Sequence, residues 1–555
     1  MIDKKKLTSI GFIEPGLNIS ARIESGNGAL KFKSTGNDLL DQFGSCARYR
    51  EERSWSEVDR DMRLIHSKSP RDTLALLLYF RMIDRKVKLF DGTVTEKVQK
   101  GQGLKHESII RAMWLSINNP KLFWNNIELI LSVGSWKDIF QMLSYDLILH
   151  GWNKRKLNWN AFTNLILVGL ENPETTDLVK MYLPSISSSI HNKTARVQSR
   201  HFIAKHIATT IFGKSSRTNF TPFSEYRRLK SSGKANLWQK QISQKLIDYI
   251  KFDTIPGRAL SKMVSSKFLE NQGLTESYLD WIESQDIAKY TGYPFELMTQ
   301  VKSGIINKKV STVQRITIDK QFMGLVELAS RNVNRKSKLI TVVDTSTSMT
   351  SEAYGLKNVS SYDVAKSLAL FFSYLMEGHF SGCFYEFNST VELKQWKGEL
   401  PVDRIQNDNS NAYGSTNIQG VAKSFVEILN TGVELSDFPT GILCVSDGEF
   451  DKPGNGVTNV SQFRQTLLLG GFPREFIDEF VFIFWDIPNS FYNKQPKSKF
   501  ETHGEHGNVF YLSGYNGSAI SFIMGDEEKP KKTPKSAEEL MSIALNQEMM
   551  QKISI

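Results

Sequence analysis

Apolar residues recur at intervals of three and four positions from about residue 36 to residue 332, and this spacing is the pattern of amphipathic α-helices. Turn residues, such as Asn119 followed by Pro120, separate one periodic segment from the next. Alternation with a period of two, which would indicate strands, is nearly absent here. The clearest predicted helices are 69–86, 106–118, 122–132, 137–150, 159–169, 198–212, 238–252 and 274–285.

Short helices that follow one another in this way favour stacked helix pairs, so we predict an all-α, HEAT-like solenoid over residues 36–332. No clean sequence period is visible, which argues against a fixed-consensus repeat. An irregular helical bundle is the alternative. Residues 1–35 alternate apolar and polar positions and predict an extended lead-in with at most a short strand pair.

The pattern changes at residue 338, where short β-branched and aromatic runs begin to alternate with helical segments. This alternation is typical of an open, mostly parallel sheet with helices on both faces, so we predict an α/β, Rossmann-like domain over residues 333–526. Residues 527–555 are predicted to be a charged linker and a terminal helix that docks back on a core. The predicted strands are 338–343, 383–387, 391–396, 441–445, 480–485 and 509–512, and the predicted helices are 362–378, 418–429 and 460–469.

The composition indicates a globular protein and argues against disulfide-rich, zinc-binding and membrane-spanning classes. The chain has 555 residues, of which 40% are apolar, enough to bury large cores. Its three cysteines, Cys46, Cys383 and Cys444, are far apart and form no C-x-x-C pair, so we expect neither a disulfide framework nor a zinc site. No apolar stretch approaches the ~20 residues that span a bilayer, and the N-terminus has no apolar signal segment. We therefore expect a cytoplasmic protein without a membrane partner.

The positive charge is concentrated in one segment. Residues 191–262 contain 15 Lys and Arg against three Asp and Glu, whereas the whole chain has a net charge of +11. One-signed charge with interleaved aromatic residues such as Phe202 and Trp238 suits phosphate contacts and base stacking. A basic solvent face, or a patch that binds an acidic protein, is the alternative. The candidate nucleic-acid-binding residues are Lys193, Arg196, Arg200, Lys205, Arg227, Arg228, Lys230, Lys234 and Arg258.

Oxygen-bearing side chains follow two predicted strands and precede one predicted helix of the α/β region. Asp344, Ser346 and Ser348 form a D-x-S-x-S pattern after the first strand. Thr416 lies in a G-S-T-N sequence at a helix start, and Asp447 lies in an S-D-G sequence after another strand. Ligands of open α/β sheets bind beyond the carboxyl ends of the strands, and hard oxygen donors suit Mg²⁺, with Mn²⁺ or Ca²⁺ as alternatives.

These residues can also be explained by structural roles that involve no metal. Ser, Thr and Asp at such positions also serve as N-caps and turn residues of a metal-free sheet. No general base or nucleophile lies in register with the oxygen donors, so a metal held there would serve binding rather than catalysis. We therefore expect a binding protein and no enzymatic activity.

The order of the three motifs over residues 338–525 resembles the von Willebrand factor A domain. The resemblance implies a metal-ion-dependent adhesion site in which Asp344, Ser346, Ser348 and Thr416 are ligands and Asp447 acts through water. Thr347 stands where many members of the family have Gly or Ala, and it is expected to tighten the loop without removing a ligand.

A helical array followed by an A domain resembles the Ro/TROVE family and, more closely, the domain of unknown function 2828 group. The matching segments are 74–85 with 101–107, 134–140, 255–259, 481–487 and 510–514. The resemblance implies a ring of helical repeats that is closed by the A domain and binds structured or aberrant RNA, with single-stranded ends inside the ring. It transfers no residue-level RNA contact, and Trp136 and Asp138 are expected to be packing and capping residues.

Two hypotheses of different classes follow. The first is a non-enzymatic, Ro/TROVE-like ribonucleoprotein component that binds small structured or misfolded RNA through basic helices and carries a divalent-metal adhesion site. The alternative is a protein-interaction scaffold whose metal site docks an acidic residue of a partner. A metal-dependent hydrolase or nuclease is less favoured than either, because the sequence offers no paired carboxylates beyond the site itself.

Overall fold

The computed structural model of the protein describes residues 22–24, 30–32, 37–44, 55–83, 85–90, 92–187, 193–213, 221–233, 238, 241–242, 245–266, 268–290, 292–306, 310–330, 338–353, 356–376, 378–410, 412–447, 459–487, 509–513, 515 and 537–555. Two compact units are formed. Residues 1–49 and 251–543 are called the sheet unit, and residues 50–250 and 544–555 the helical unit. The predicted boundary between residues 332 and 333 lies inside the sheet unit, and most of the predicted lead-in and linker falls outside the described residues.

Helices and strands are numbered in chain order. The described helices are α1 (Asp38–Gly44), α2 (Trp55–Lys68), α3 (Pro70–Arg81), α4 (Lys105–Asn118), α5 (Pro120–Asn125), α6 (Ile127–Val133), α7 (Trp136–His150), α8 (Trp159–Glu171), α9 (Thr176–Tyr182), α10 (Ala195–Phe212), α11 (Pro222–Ser232), α12 (Gly257–Ser265), α13 (Phe268–Asn271), α14 (Thr275–Glu283), α15 (Pro294–Ile306), α16 (Thr312–Ser330), α17 (Ser361–Ser373), α18 (Pro401–Gln406), α19 (Gln419–Asn430), α20 (Asn459–Leu469), α21 (Arg474–Glu479) and α22 (Ala537–Leu545). The described strands are β1 (Arg22–Glu24), β2 (Leu30–Phe32), β3 (Leu339–Asp344), β4 (Cys383–Phe387), β5 (Val391–Gln395), β6 (Gly441–Ser446), β7 (Val481–Asp486) and β8 (Val509–Ser513).

The predicted order of a helical region followed by an α/β region is confirmed, whereas helical repeats and a closed ring stay predictions. None of the helices in the described part of the chain has the length and apolar character needed to cross a bilayer. In the lead-in, β1 and β2 form a short antiparallel pair.

Two predicted helices differ from the structure. The segment predicted as one helix over 122–132 is broken at Asn126, whose side chain accepts from Ser554 N and donates to Ser554 O. The segment predicted as a helix over 238–252 is helical at residues 238 and 241–242, but it continues into a 3₁₀ turn at Ile247–Tyr249 rather than an α-helix. Lys245 has a φ of 58°, a left-handed conformation that no α-helix continues through.

Helix α7 packs against both α4 and α10 in the helical unit. Its start is fixed by a capping box. The side chain of Ser135 accepts from the backbone N–H of Asp138, and the side chain of Asp138 accepts from the backbone N–H of Ser135. Trp136 is buried at the same end. The predicted packing role of Trp136 and capping role of Asp138 are therefore confirmed.

The last residues of the chain complete the helical unit. Ala544, Leu545, Met549 and Met550 are buried there. The side chain of Gln547 accepts from Lys100 N and donates to Lys100 O, so it pairs with this backbone as a neighbouring strand would. The segment 544–555 is thus an integral part of a core that begins at residue 50.

The sheet unit contains a six-stranded sheet with the order β5-β4-β3-β6-β7-β8. All neighbouring strands are parallel except β4 and β5, so β5 is an antiparallel edge strand. The strand order reverses between β3 and β6, which is the switch point where open α/β sheets bind ligands.

Both faces of this sheet are covered. Alternate residues of the central strands enter different cores: Val343, Leu443 and Trp485 on one face, and Val342 and Cys444 on the other. Helix α17 covers the first face together with α15, and α19 and α20 pack against each other over the second. Both central strands, β3 and β6, are buried along their whole length.

Candidate functional site

Asp344 is the last residue of β3, at the carboxyl edge of the sheet and at the switch point. The side chain is fully buried. Its Oδ1 accepts from Ser346 N at 2.8 Å, and its Oδ2 accepts from Ser446 Oγ at 2.5 Å. Both donors are uncharged, so neither hydrogen bond neutralises the carboxylate.

Asp447 follows β6, the strand beside β3, and is 1% exposed. Burial raises the pKa of Asp344 well above its usual range, and the negative charge of Asp447 raises it further. The structure thus brings Asp344 and Asp447 together, as the sequence predicted from two strands that end at one edge. Two buried carboxylates in this position favour a shared proton or a bound cation.

The hydroxyl groups of the D-x-S-x-S pattern lie on the turn after β3. Ser346 is buried and Ser348 is half-buried, and their Oγ atoms are 3.0 Å apart. A 3₁₀ turn at Thr347–Thr350 carries Ser348 back toward Ser346. Alternate residues of one short loop therefore present their oxygens together.

The loop that carries Thr416 is attached to this turn by backbone hydrogen bonds. Tyr413 N donates to Thr345 O at 2.6 Å, and Thr347 N donates to Gly414 O at 3.2 Å. Gly414 has a φ of +82°, and a Cβ at that position would lie 2.5 Å from Ser389 Oγ. Glycine is therefore required for the loop to reach the first motif, and Thr416 is buried beside it.

Asn388 is part of the same arrangement and was not predicted. Its Nδ2 donates to Thr345 Oγ1 at 3.0 Å, and its backbone oxygen accepts from Asn417 N at 2.9 Å. Asn388 directly follows β4, the other neighbour of β3, so its position at a parallel strand end was the available signal. It joins the first turn to the loop of Thr416.

Lys366 supports this edge from the α17 side. Its fully buried Nζ donates to Glu386 Oε1 at 2.7 Å and to Asp408 Oδ1 at 3.1 Å. Burial lowers the pKa of Lys366, whereas Asp408 and Glu386 act in the opposite direction. The ammonium group thus fixes the start of the loop that continues to Thr416.

The donors present fit a hard divalent cation. Asp344 and Asp447 provide negative charge, and Ser346, Ser348 and Thr416 provide neutral oxygens, all on loops at one edge of the sheet. Within the described residues no cluster of three or more His, Cys, Asp or Glu is formed, so a metal here would depend on hydroxyl ligands. With Asp447 acting through water, Asp344 would be the one carboxylate bound directly to the ion, and an open coordination position could then accept an acidic group.

Most of the predicted basic candidates lie in the helical unit, on or just before α10 and on α11. Lys193, Arg196, Arg200, Arg227 and Arg228 are exposed. Lys205 is half-buried, with its Nζ 5.5 Å from the ring centre of Phe223. Lys234 lies outside the described residues.

Two candidates are engaged by the protein itself. The half-buried Lys230 donates from Nζ to the backbone oxygens of Leu183 and Met181, at the end of α9. Arg258 belongs to the sheet unit, where its guanidinium donates two hydrogen bonds to Glu296, at 3.0 and 2.8 Å. Neither residue has the exposed, uncompensated charge that was expected, because each finds a partner distant in sequence.

An exposed aromatic pair also escaped sequence reasoning. Trp152 and Phe202 are each 42% exposed, and their ring centres are 6.2 Å apart. The guanidinium of Arg155 lies 4.5 Å from the ring centre of Trp152. Phe202 was noted as an interleaved aromatic, but Trp152 falls outside the basic segment and only the packing of α7 against α10 brings it there.

Comparison with known proteins does not extend this picture. A scan against protein-family models and a search of curated proteins both find no match to the chain. A function therefore has to be argued from the geometry of these two sites.

Proposed function

We propose that this chain is a non-enzymatic RNA-binding protein of the Ro/TROVE type, which holds RNA on the helical unit. The observation that supports this proposal is the exposed positive charge of α10 and α11. Arg196, Arg200, Arg227 and Arg228 all face solvent, and no carboxylate pairs with them among the residues that the structure describes. Charge of one sign that the protein leaves uncompensated attracts a polyanion.

The exposed aromatic pair makes nucleic acid the favoured polyanion. Trp152 and Phe202 offer apolar ring surface beside the guanidinium of Arg155, and unstacked bases bind to such surfaces. RNA is preferred over duplex DNA because single-stranded loops and ends, which present free bases, are common in RNA.

RNA binding is tested with fluorescein-labelled RNA and the full chain, by anisotropy at several salt concentrations. We expect affinity to fall steeply between 50 and 200 mM salt because counterions are released on binding. The double substitution of Arg227 and Arg228 by Glu is expected to weaken binding about tenfold or more. Lys230 is left unchanged, since its ammonium group holds the backbone at the end of α9. Salt-independent binding, or none, would remove this proposal.

The carboxyl edge of the sheet, where Asp344 and Asp447 lie, supports a second candidate function. There a bound divalent cation, most readily Mg²⁺, would dock an acidic residue of a protein partner. The supporting observation is the buried pair Asp344 and Asp447 with uncharged donors around Asp344. Asp344, Ser346, Ser348, Thr416 and, through water, Asp447 would hold the ion. An open coordination position would then accept a carboxylate.

Metal binding is tested by thermal unfolding with Mg²⁺, Mn²⁺ or Ca²⁺ and with chelator. A cation at about 100 times its Kd stabilises the folded state by about 2.7 kcal/mol. Asp344→Asn is expected to abolish this effect while stabilising the chelator-treated protein, because it removes one of two repelling charges. Thr350→Val removes an exposed hydroxyl of the same turn and serves as the control. Equal metal responses of all three proteins would contradict the assignment.

A further inference from the structure

Three helices of the helical unit carry a cation in their first turn. Lys105 is the first residue of α4, Lys137 the second of α7 and Arg196 the second of α10. Helix α7 packs against both of the others, and Lys137 interacts electrostatically with Lys105 and Arg196. The positive ends of three helix dipoles therefore add to the charge of these side chains.

Asp138 is the acidic residue within this group, and Arg81 and Lys105 already compensate its charge. Its Oδ2 accepts from Arg81 Nε at 2.8 Å, and its Oδ1 lies 3.1 Å from Lys105 Nζ. It also caps α7 by accepting from Ser135 N. Although burial opposes the effect, Arg81 and Lys105 lower the pKa of Asp138, as expected of a carboxylate shared by two cations.

Arg196 and Arg200 have no carboxylate partner in the part of the helical unit that the structure describes, and the only carboxylate there with which Lys137 interacts is Asp138, which Arg81 and Lys105 already share. Lys137, Arg196 and Arg200 are all exposed. Partial desolvation first, and then the charges of Lys105, Arg196 and Arg200, lower the pKa of Lys137, whereas the charge of Asp138 acts in the opposite direction. The cations are thus close enough to repel one another, and the one carboxylate among them, Asp138, is already shared by Arg81 and Lys105.

We propose that Lys137, Arg196 and Arg200 form a phosphate-binding cluster that anchors the backbone of bound RNA, an assignment that rests on the RNA-binding function proposed above. A phosphate group relieves the mutual repulsion, and the two arginines can each donate paired hydrogen bonds to phosphate oxygens. Arg196 and Arg200 are one helical turn apart on α10, so both face the same side.

RNA fits this cluster better than an acidic protein segment because of what lies further along α10. Phe202, which forms the exposed pair with Trp152, follows Arg200 on the same helix. Phe202 lies two positions after Arg200 and therefore on a different side of α10, so a ligand has to extend around the helix to contact both the cations and the rings, as a strand of several nucleotides can. An acidic peptide would use the cations and gain less from the rings.

The test compares two variants of equal charge, using the full chain and a fluorescein-labelled 12-nucleotide oligouridylate. The cluster variant combines K137Q, R196Q and R200Q. The control variant combines K86Q, K97Q and K121Q, which removes three exposed lysines of the same unit. We expect the cluster variant to raise the Kd about 10- to 100-fold at 0.1 M salt and to reduce the slope of log affinity against log salt by about 2. The control variant is expected to change the Kd by less than about threefold.

Each outcome separates this inference from the function on which it rests. If the unsubstituted chain does not bind the oligonucleotide, the proposed function fails and the cluster assignment fails with it. If that chain binds and both variants weaken equally, or neither does, RNA binding stands and the cluster is refuted. A labelled 12-residue oligoglutamate is the second probe, and equal binding of it, lost in the cluster variant, would overturn RNA in favour of an acidic protein. Unchanged melting temperatures verify that the variants fold.

Discussion

Buried charged residues of the sheet unit affect its stability in opposite directions, according to whether an opposite charge is in contact. Lys366 is paired with Glu386 and Asp408, so its ammonium group links α17 to β4 and to the loop after α18. Asp319 accepts a hydrogen bond from Val402 N at 2.8 Å, and burial raises its pKa to about 6 against the opposing effects of this N–H and of Arg315. The first residue stabilises the fold when charged, and the second destabilises it.

Replacing Lys366 by Met is expected to lower the free energy of unfolding of the sheet unit by about 3 kcal/mol, because Asp408 would lose its buried cation and Glu386 would keep only Lys394 as a partner. Denaturant unfolding measures the loss. Lys423→Met removes an exposed lysine from α19 and is expected to change stability by less than about 0.5 kcal/mol. A loss of under 1 kcal/mol in the Lys366 variant would show that the network is not needed for stability.

Replacing Asp319 by Asn is expected to stabilise the protein at pH 7. The pKa of Asp319 is about 6 in the folded chain and near 3.8 when unfolded, so the folded state binds more protons between these values. Stability from this group is therefore lost as pH rises from about 4 to 6. An Asn side chain still accepts from Val402 N and carries no charge, so a gain of about 1–3 kcal/mol is expected at pH 7 and almost none at pH 4. Unfolding curves at the two pH values check this; a gain of the same size at both would contradict it.

At the scale of elements, periodicity predicted the parts of the fold whose cause is local. The strands at 338–343 and 441–445 were placed to within a residue or two, because runs of apolar β-branched residues need a buried sheet. The break at Asn126 could not be predicted, since Ser554 lies far away in the sequence. The left-handed backbone conformation of Lys245 could not be predicted either, because a lysine does not indicate such a turn.

The residues of the candidate site also differ in whether the sequence could predict them. Asp344 and Asp447 could be paired from sequence, because the carboxyl ends of parallel strands share an edge. Asn388 and Lys366 act through tertiary hydrogen bonds that no spacing reveals. Arg258 was placed with the basic surface because a count of charges does not show that Glu296 is its partner.

The segment 544–555 is the element on which the helical unit most depends. Removing it takes away four buried apolar side chains, uncovers the surface on which they pack, and leaves the backbone groups of Lys100 without their partner Gln547. At about 1.5–3 kcal/mol for each large apolar side chain, the loss is about 5 kcal/mol. We expect a chain that ends at residue 543 to melt at a temperature lower by about 10–20 °C in the transition of the helical unit.

A milder variant distinguishes specific pairing from loss of bulk. Gln547→Ala removes the side chain that pairs with the backbone of Lys100, and it is expected to cost about 1–3 kcal/mol. Gln551→Ala, in an exposed position of the same segment, is the control and should cost little. Equal stability of the truncated and full chains in calorimetry would contradict the dependence.

At the scale of the whole molecule, the two proposed sites belong to different compact units. The residues that would hold the cation are all in the sheet unit, and the cations of α7 and α10 are all in the helical unit. No described side chain is therefore shared between the two sites.

Asp344→Asn and chelator treatment are accordingly expected to leave the affinity for labelled RNA unchanged to within about twofold, because the proposed ion contacts no group that binds phosphate. Anisotropy titrations with and without Mg²⁺ check this at constant ionic strength, which has to be matched because RNA affinity depends on salt. A change of tenfold or more would mean that the two sites are energetically linked.

The return of residues 544–555 to a core that begins at residue 50 sets an order of events during synthesis. Helices α2 to α11 leave the ribosome early, but their core stays open until the last dozen residues have been made. At about 5–20 residues per second, the intervening stretch of roughly 300 residues takes about 15–60 s to translate. During that interval the backbone of Lys100 and the apolar surface that receives Met549 and Met550 are uncovered, so the helical unit waits for residues 544–555 although all its other residues precede residue 251.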